Sequence, residues 1–535
     1  MHIVGQFFRK PWLYLTIVLI GTSLKFYQLN SKLFWRDEVS TVLYTTGVKE
    51  SVILESIPVN QILSIGFYDS LLHPNRGEYN LTDEVTGILA DTHLTPAHYI
   101  FLSFWDRLAG DTDMDYRRFS VLVFILTLPF FFFLAKTLFN SNIAGWIACS
   151  FFAVSPFIHF EAQEARYYAL WVLFFVSSNY FFVRAIRSQQ PYWWVAYTVS
   201  CVLALYTSAL SGLYLLGHFI FVWLLKKPFR GGYVFSLLFI VLAFLPRLYF
   251  LYQVRDTLSN GLSWHISDHA SFFTLELLFM QLIGLVRFFS FLYDMLLYFS
   301  LLMTGETAGI STGLWIDAVL LCVIVYAIYF LLTKTTKERK WFLILLLLPT
   351  ILFFYLSDIF RQGFTSILWR YQIVNMVVVG LVMTNLLQEK IRNGKMPYAV
   401  LYLGLITMGL VSIFKISEIR CWNTSPDCTS NVEEARYIST AEHPLLITDF
   451  NKFGLANFLA VINDARLTNA DVVYCKGNVP DIKSPAEANG YTDVYVIHAS
   501  DSLAAAVQAQ FGGRLLPFRK EVPLWSSQIW HAKLK

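Results

Sequence analysis

Charge is scarce in this chain. Asp, Glu, Lys and Arg make up only 15% of 535 residues, whereas 56% are hydrophobic and 17% aromatic. Soluble domains carry roughly a quarter charged residues, so a soluble enzyme or a disordered chain is excluded. Cysteine is also sparse, at 6 residues, which excludes a disulfide scaffold. CxxC and HExxH patterns are absent, so the chain offers no built-in zinc site. A net charge of +4 gives no argument for nucleic acid, because the basic residues fall between apolar runs. What the chain has in abundance is apolar runs close to the roughly 20 residues that cross a bilayer.

These runs predict a polytopic α-helical membrane protein with about eleven spans (range 11–13): 12–29, 119–138, 142–159, 167–186, 192–208, 209–225, 232–250, 314–333, 341–357, 371–388 and 398–416. The first reads as a span rather than a signal peptide, since no small-residue cleavage site follows it. With the N-terminus in the cytoplasm, the inner segments hold 15 basic residues against two acidic ones, Glu338 and Glu389. Basic loops stay inside. The first outer loop, 30–116, carries 13 acidic and 5 basic residues. His98–Leu108 is too short to span and reads as an interfacial helix. Ser271–Met303 is interrupted by Glu276, Arg287 and Asp294 and reads as outer interfacial helices.

The organisation expected is a transmembrane domain, 1–417, followed by a small extracytoplasmic α/β domain, 418–535. The tail alternates strand-like runs (Leu445–Phe450, Val472–Cys475, Val494–His498) with helix-like runs (Val432–Thr440, Phe453–Ile462, Ser502–Phe511). Cys421, Cys428 and Cys475 lie there, where oxidation can occur, but spacing does not choose a pair.

Charged groups beside a bilayer need a reason to be there. On the predicted outer side they gather at Trp35-Arg36-Asp37-Glu38, at the turn Glu161 to Tyr168, and at Arg361 with Trp369-Arg370-Tyr371. Arg117 and Arg118 open the second span on the same side, against the usual bias. Arg247 sits near the outer end of another span, and His93 and His98 complete the set. A carboxylate can take a proton from an attacking hydroxyl. Arginines can stabilise charge on a departing phosphate. The mixture suits sugar transfer from a polyprenyl-phosphate donor. A transporter or flippase of a lipid-linked glycan, and a glycan polymerase or ligase, remain alternatives. The chain shows no internal repeat of the kind transporters carry.

Five motifs on one predicted side carry a family likeness: Arg36-Asp37-Glu38, Thr95-Pro96-Ala97-His98-Tyr99, Tyr116-Arg117-Arg118-Phe119-Ser120, Ser155-Pro156 with Glu161 to Tyr168, and Trp369-Arg370-Tyr371. In order and spacing, residues 1 to about 416 resemble the integral-membrane GT-C glycosyltransferases related to protein O-mannosyltransferases and aminoarabinose transferases (glycosyltransferase family 39-like). The resemblance implies inverting transfer from a polyprenyl-phosphate sugar on the extracytoplasmic face of the plasma membrane. The acceptor would be an envelope glycan, lipid or protein.

It makes Asp37 the base and Glu38 a secondary carboxylate. Arg166, Arg370, Arg118 and Arg361 become donor-phosphate contacts, and Glu164, Tyr167, His93, His98 and Tyr371 line the substrate. Asp37, Glu38 and His93 in one loop leave room for a divalent cation, with no metal site assigned. Two departures stand out. Thr95 precedes Pro96 where the family has paired prolines. Arg166-Tyr167 stand where aminoarabinose-type enzymes have an aspartate, which weighs against a lipid A acceptor.

Overall fold

The computed structural model describes residues 10–73, 80–90, 95–225, 230–253, 274–291, 312–361, 363, 365–421, 426–450, 454–477, 479–512, 514–518 and 528–534. The chain divides into two units: Met1–Leu29, Thr92–His98 and Arg117–Glu418 form one, and Asn30–Asp91, Tyr99–Tyr116 and Ile419–Lys535 form the other.

The first unit is helical. Among the described residues, seven helices are long and apolar enough to cross a membrane, or eight if one bent pair counts as a single span. The remaining expected spans are present as shorter helices, Pro11–Leu24, Pro191–Thr207 and Ser211–Leu225, of 14, 17 and 15 residues. The first and third are shorter than the apolar runs 12–29 and 209–225, while the second matches its run, 192–208, in length. Ser271–Met303 is described only in part, as the helix Thr274–Gly284 and a short 3₁₀ turn, Leu285–Phe288. Residues 292–311 lie outside the described residues.

The helix Ile373–Arg392 is buried along nearly its whole length and forms the centre of this unit. A helix apolar on all sides belongs inside a bundle. Arg230–Gln253 is the opposite case, with Phe235, Phe239 and Tyr249 exposed. Exposed aromatic and aliphatic side chains on a spanning helix face lipid, which is as apolar as they are. Gly409 permits a close helix contact: a Cβ there would lie 2.5 Å from the Val154 carbonyl oxygen.

The second unit holds a six-stranded sheet. Its strands are β1 (Ile62–Ser64), β2 (Pro444–Thr448), β3 (Asp471–Tyr474), β4 (Asp493–Val496), β5 (Leu516–Pro517) and β6 (Trp530–Lys533). Their order is β1-β3-β2-β4-β6-β5. β2 pairs in parallel with both β3 and β4, and β1 adds antiparallel to β3 with Ile62 opposite Val473. All five residues of β2 and all four of β4 are buried. Such continuous apolar strands fit a sheet covered on both faces. The helices Pro426–Ile438, Gly454–Ala465 and Asp501–Phe511 flank it in sequence. The first outer loop thus supplies a strand to the sheet of the tail. Cys421, Cys428 and Cys475 are all buried.

Candidate active site

The acidic turn is built by a proline. The helix Asn142–Val154 stops at Ser155, because Pro156 disfavours the helical conformation in the residue before it. Ser155 then caps a new helix, Pro156–Ala162, its hydroxyl accepting from the Ile158 N–H. The two helices meet at 59°. Glu161 is therefore carried sideways on a short helix instead of continuing along the first axis. Gln163 pins the turn, donating through Nε2 to the carbonyls of Lys25 (3.2 Å) and Tyr27 (2.8 Å) at the end of the first helix.

Around this turn Glu161, Glu164, Arg166, Tyr167, Arg370 and Tyr371 gather. Glu161 and Glu164 are both buried, and their carboxyl groups lie within electrostatic reach of each other. Burial first, and then the neighbouring Glu164 charge, push the Glu161 carboxyl well above the usual carboxylate range, so it favours the protonated form. Arg166 and Arg370 lie within electrostatic reach of Glu161. The same two arginines, with Tyr371, surround Tyr167. The Arg166 guanidinium lies 5.6 Å from the Tyr167 ring centroid, and Arg370 lies 5.5 Å from that of Tyr371.

His98 is buried on the helix Pro96–Ala109, with its ring 6.0 Å from that of Phe119. Burial, with the nearby Arg166 charge, pushes its imidazolium pKa down to about 3, so the ring is neutral at physiological pH.

The Arg370 segment is fixed by residues that sequence reading did not select. Asp358 accepts the N–H groups of Thr365 (2.8 Å) and Ser366 (2.5 Å), folding the chain into a short turn. Trp369 lies flush on Gly284, where a Cβ would come within 2.7 Å of the indole. The Arg287 guanidinium sits 4.7 Å from the Trp369 ring centroid and pairs with Asp317 at 3.0 Å. Arg287 and Asp317 are 1% and 0% exposed. Sequence reading took Arg287 only as an interruption. Lys25 was also missed: it is buried, and its ammonium makes no hydrogen bond. The available signal was a lone lysine within an apolar run.

The adjacent arginines diverge. Arg117 is fully buried and donates to the Leu29 carbonyl at 3.0 Å, so it is structural. Arg118, roughly 100° further around the helix, is exposed. Arg361 is exposed on the last turn of the helix Lys337–Arg361, where a cation complements the helix dipole. Arg247 is buried.

Asp37 and Glu38 belong to the second unit, in the first turn of the helix Arg36–Thr45. Glu38 is fully buried and reaches back to the Trp35 N–H at 3.4 Å, closing a capping interaction. Asp37 keeps 19% of its side chain exposed beside Arg36, 3.5 Å away. Of the two carboxylates, Asp37 is the accessible one. His93 lies outside the described residues. Among the described residues no three His, Cys, Asp or Glu side chains gather as metal ligands.

Residues 93–250 match the family model of the dolichyl-phosphate-mannose-protein mannosyltransferases. The chain resembles this family of membrane glycosyltransferases. The match covers His98, Arg118 and the whole acidic turn, so the kinship expected from the motifs is borne out there. A comparison with curated protein sequences finds no match. Among solved structures, the fold is similar to that of ArnT from Cupriavidus metallidurans in the apo state, at 12% identity and TM-score 0.48, covering 97% of each chain. For the same protein bound to undecaprenyl phosphate the identity is 14% and the TM-score 0.41, over 97% of this chain and 98% of that one. The Archaeoglobus fulgidus oligosaccharyltransferase AglB, in complex with an inhibitory peptide and a dolichol-phosphate, gives 11% and 0.46, over 98% of this chain and 74% of that one.

Proposed function

We propose that this protein transfers a sugar from a polyprenyl-phosphate-linked donor to an extracytoplasmic acceptor, with inversion in a single displacement. The observation that carries the reading is the convergence of Arg166 and Arg370 on the paired carboxyls Glu161 and Glu164, inside a helical membrane unit. Two guanidinium groups suit a phosphate leaving group, and two neighbouring buried carboxyl groups suit the hydroxyls of a sugar.

In this mechanism Asp37 accepts the proton of the acceptor nucleophile as its oxygen or nitrogen attacks the anomeric carbon. The bond from that carbon to the phosphate oxygen breaks, and the electron pair leaves with polyprenyl phosphate. Arg166 and Arg370 stabilise the charge gathering there, with Arg118 and Arg361 as outer contacts. Glu164, Tyr167, His98 and Tyr371 orient the sugar. Neutral His98 can bond a hydroxyl without adding charge. The N-terminus lies in the cytoplasm and the tail outside, at the plasma membrane.

The test is donor cleavage by purified protein in nanodiscs, using polyprenyl-phosphate mannose labelled in the sugar. Release of polyprenyl phosphate with the label on an acceptor or on water supports transfer. Movement of intact donor across a vesicle wall, with no cleavage, would make the protein a transporter.

A further inference from the structure

The tail contains a cavity that the transfer chemistry leaves unused. β2, β3 and β4 run parallel, with β3 on one side of β2 and β4 on the other. The chain leaves β2 in one direction and later returns on its other side, so the winding reverses between β2 and β4. Connections diverge at such a reversal and open a crevice at the carboxyl ends of the strands, the usual ligand position in open parallel sheets. A cavity of about 950 Å³ lies there. Asp449 follows β2, Tyr474 and Lys476 lie at the end of β3, and Ser500, Ser502 and Gln510 follow β4 around it.

Its walls are built with care. Phe450 in the wall, and His498 just before the lining residue Ser500 in sequence, each stand two residues beyond their strand, and both are left-handed, at φ 54° and 47°. Left-handed non-glycine residues cost energy and persist where the surroundings enforce them, often at ligand sites. Asp449 latches the two strand ends together: it accepts the Ser500 N–H at 3.0 Å and also the Ser500 hydroxyl. The Phe450 ring stacks on Tyr474 with centroids 4.8 Å apart. Gln510 holds the loop after β3, donating to the Pro480 carbonyl (2.8 Å) and accepting the Ile482 N–H (2.9 Å).

The lining balances one carboxylate, one ammonium and several hydroxyls. Asp449 would repel a phosphate. An apolar occupant would strip these groups of water and leave them unpaired. A neutral polyhydroxylated ligand both donates and accepts, and meets neither penalty. We propose that this crevice binds a neutral oligosaccharide of about two to three sugar units, the size that pockets of several hundred Å³ enclose. The choice of a sugar rests on the glycosyltransferase reading of the chain; the crevice itself stands on the strand order and the latch.

The experiment uses the full chain in nanodiscs and saturation-transfer NMR with mannotriose, maltotriose and triacetylchitotriose as probes. At least one binds, and Ser502→Trp, an exposed position at the rim, weakens that binding tenfold or more. Lys476→Ala, also exposed, weakens it severalfold without lowering the melting temperature. Binding of none of the three overturns the proposal, as does equal binding by Ser502→Trp or binding of inorganic phosphate in their place. Donor cleavage by the same samples reads the other question separately. Cleavage without saccharide binding removes the crevice alone. Saccharide binding without cleavage supports the crevice and removes the transferase reading.

Discussion

The buried pair Arg287–Asp317 allows a test that separates folding from function. The two groups are 3.0 Å apart and almost wholly excluded from solvent. Asp317→Leu leaves a buried guanidinium without its counter-charge, and Arg287→Met leaves a buried carboxylate. Breaking one side of such a pair costs about 3–5 kcal/mol, whereas replacing both partners by apolar groups of similar volume is roughly neutral.

Each single variant should therefore melt well below the wild type in detergent, and Arg287→Met with Asp317→Leu should recover most of the loss. The coupling in that double-mutant cycle should be about 6 kcal/mol or more, since two losses of about 3–5 kcal/mol each nearly vanish when combined. The double variant still lacks the cation above Trp369, a contact worth about 2 kcal/mol when desolvated. Its Trp369-Arg370 segment should be looser, and its affinity for polyprenyl phosphate reduced severalfold despite restored stability. Single variants that melt with the wild type would refute the buried pair. A double variant with wild-type donor affinity would refute its positioning of Arg370.

Two further outcomes are expected. His98 has a folded-state pKa near 3 against an ordinary value of 6.5, so the unfolded chain binds the extra proton between those values. Its contribution is complete above pH 6.5 and drains as pH falls toward 3. Lowering pH from 7 to 5 should cost about 2 kcal/mol through this one residue, and His98→Gln should flatten that dependence; an unchanged slope in denaturation curves would disprove it. Arg370→Ala should weaken polyprenyl phosphate binding by roughly 10- to 100-fold, the worth of a charged hydrogen bond, with Arg370→Lys intermediate. Equal binding by all three proteins would remove Arg370 from the phosphate site.

Much of the membrane unit was legible because length and apolarity leave little choice: the run 371–388 reads as a helix, and the structure adds that the helix Ile373–Arg392 is buried. The gathering of charges after Pro156 was visible because few polar residues compete with them, whereas the 59° bend was not, since 142–159 reads as one apolar span. Other features depend on distant partners. β1 is three residues long and gains its identity only by pairing with β3, some 400 positions away. Three residues show no period to read. The capping contact of Glu38 depends on how the helix Arg36–Thr45 starts, which three letters of sequence do not show. Arg117 and Arg118 are equivalent in a sequence, yet one helical step buries the first and exposes the second. The Arg287–Asp317 pair joins two segments that neither spacing nor composition links.

The most direct test of the central claim is the transfer rate of Asp37→Asn. With sugar-labelled polyprenyl-phosphate mannose, the purified variant should bind donor like the wild type and melt at the same temperature. It should transfer about 10²- to 10⁴-fold more slowly, the usual worth of a general base. Transfer at the wild-type rate would contradict the assignment of Asp37 and, with it, the mechanism built on this site.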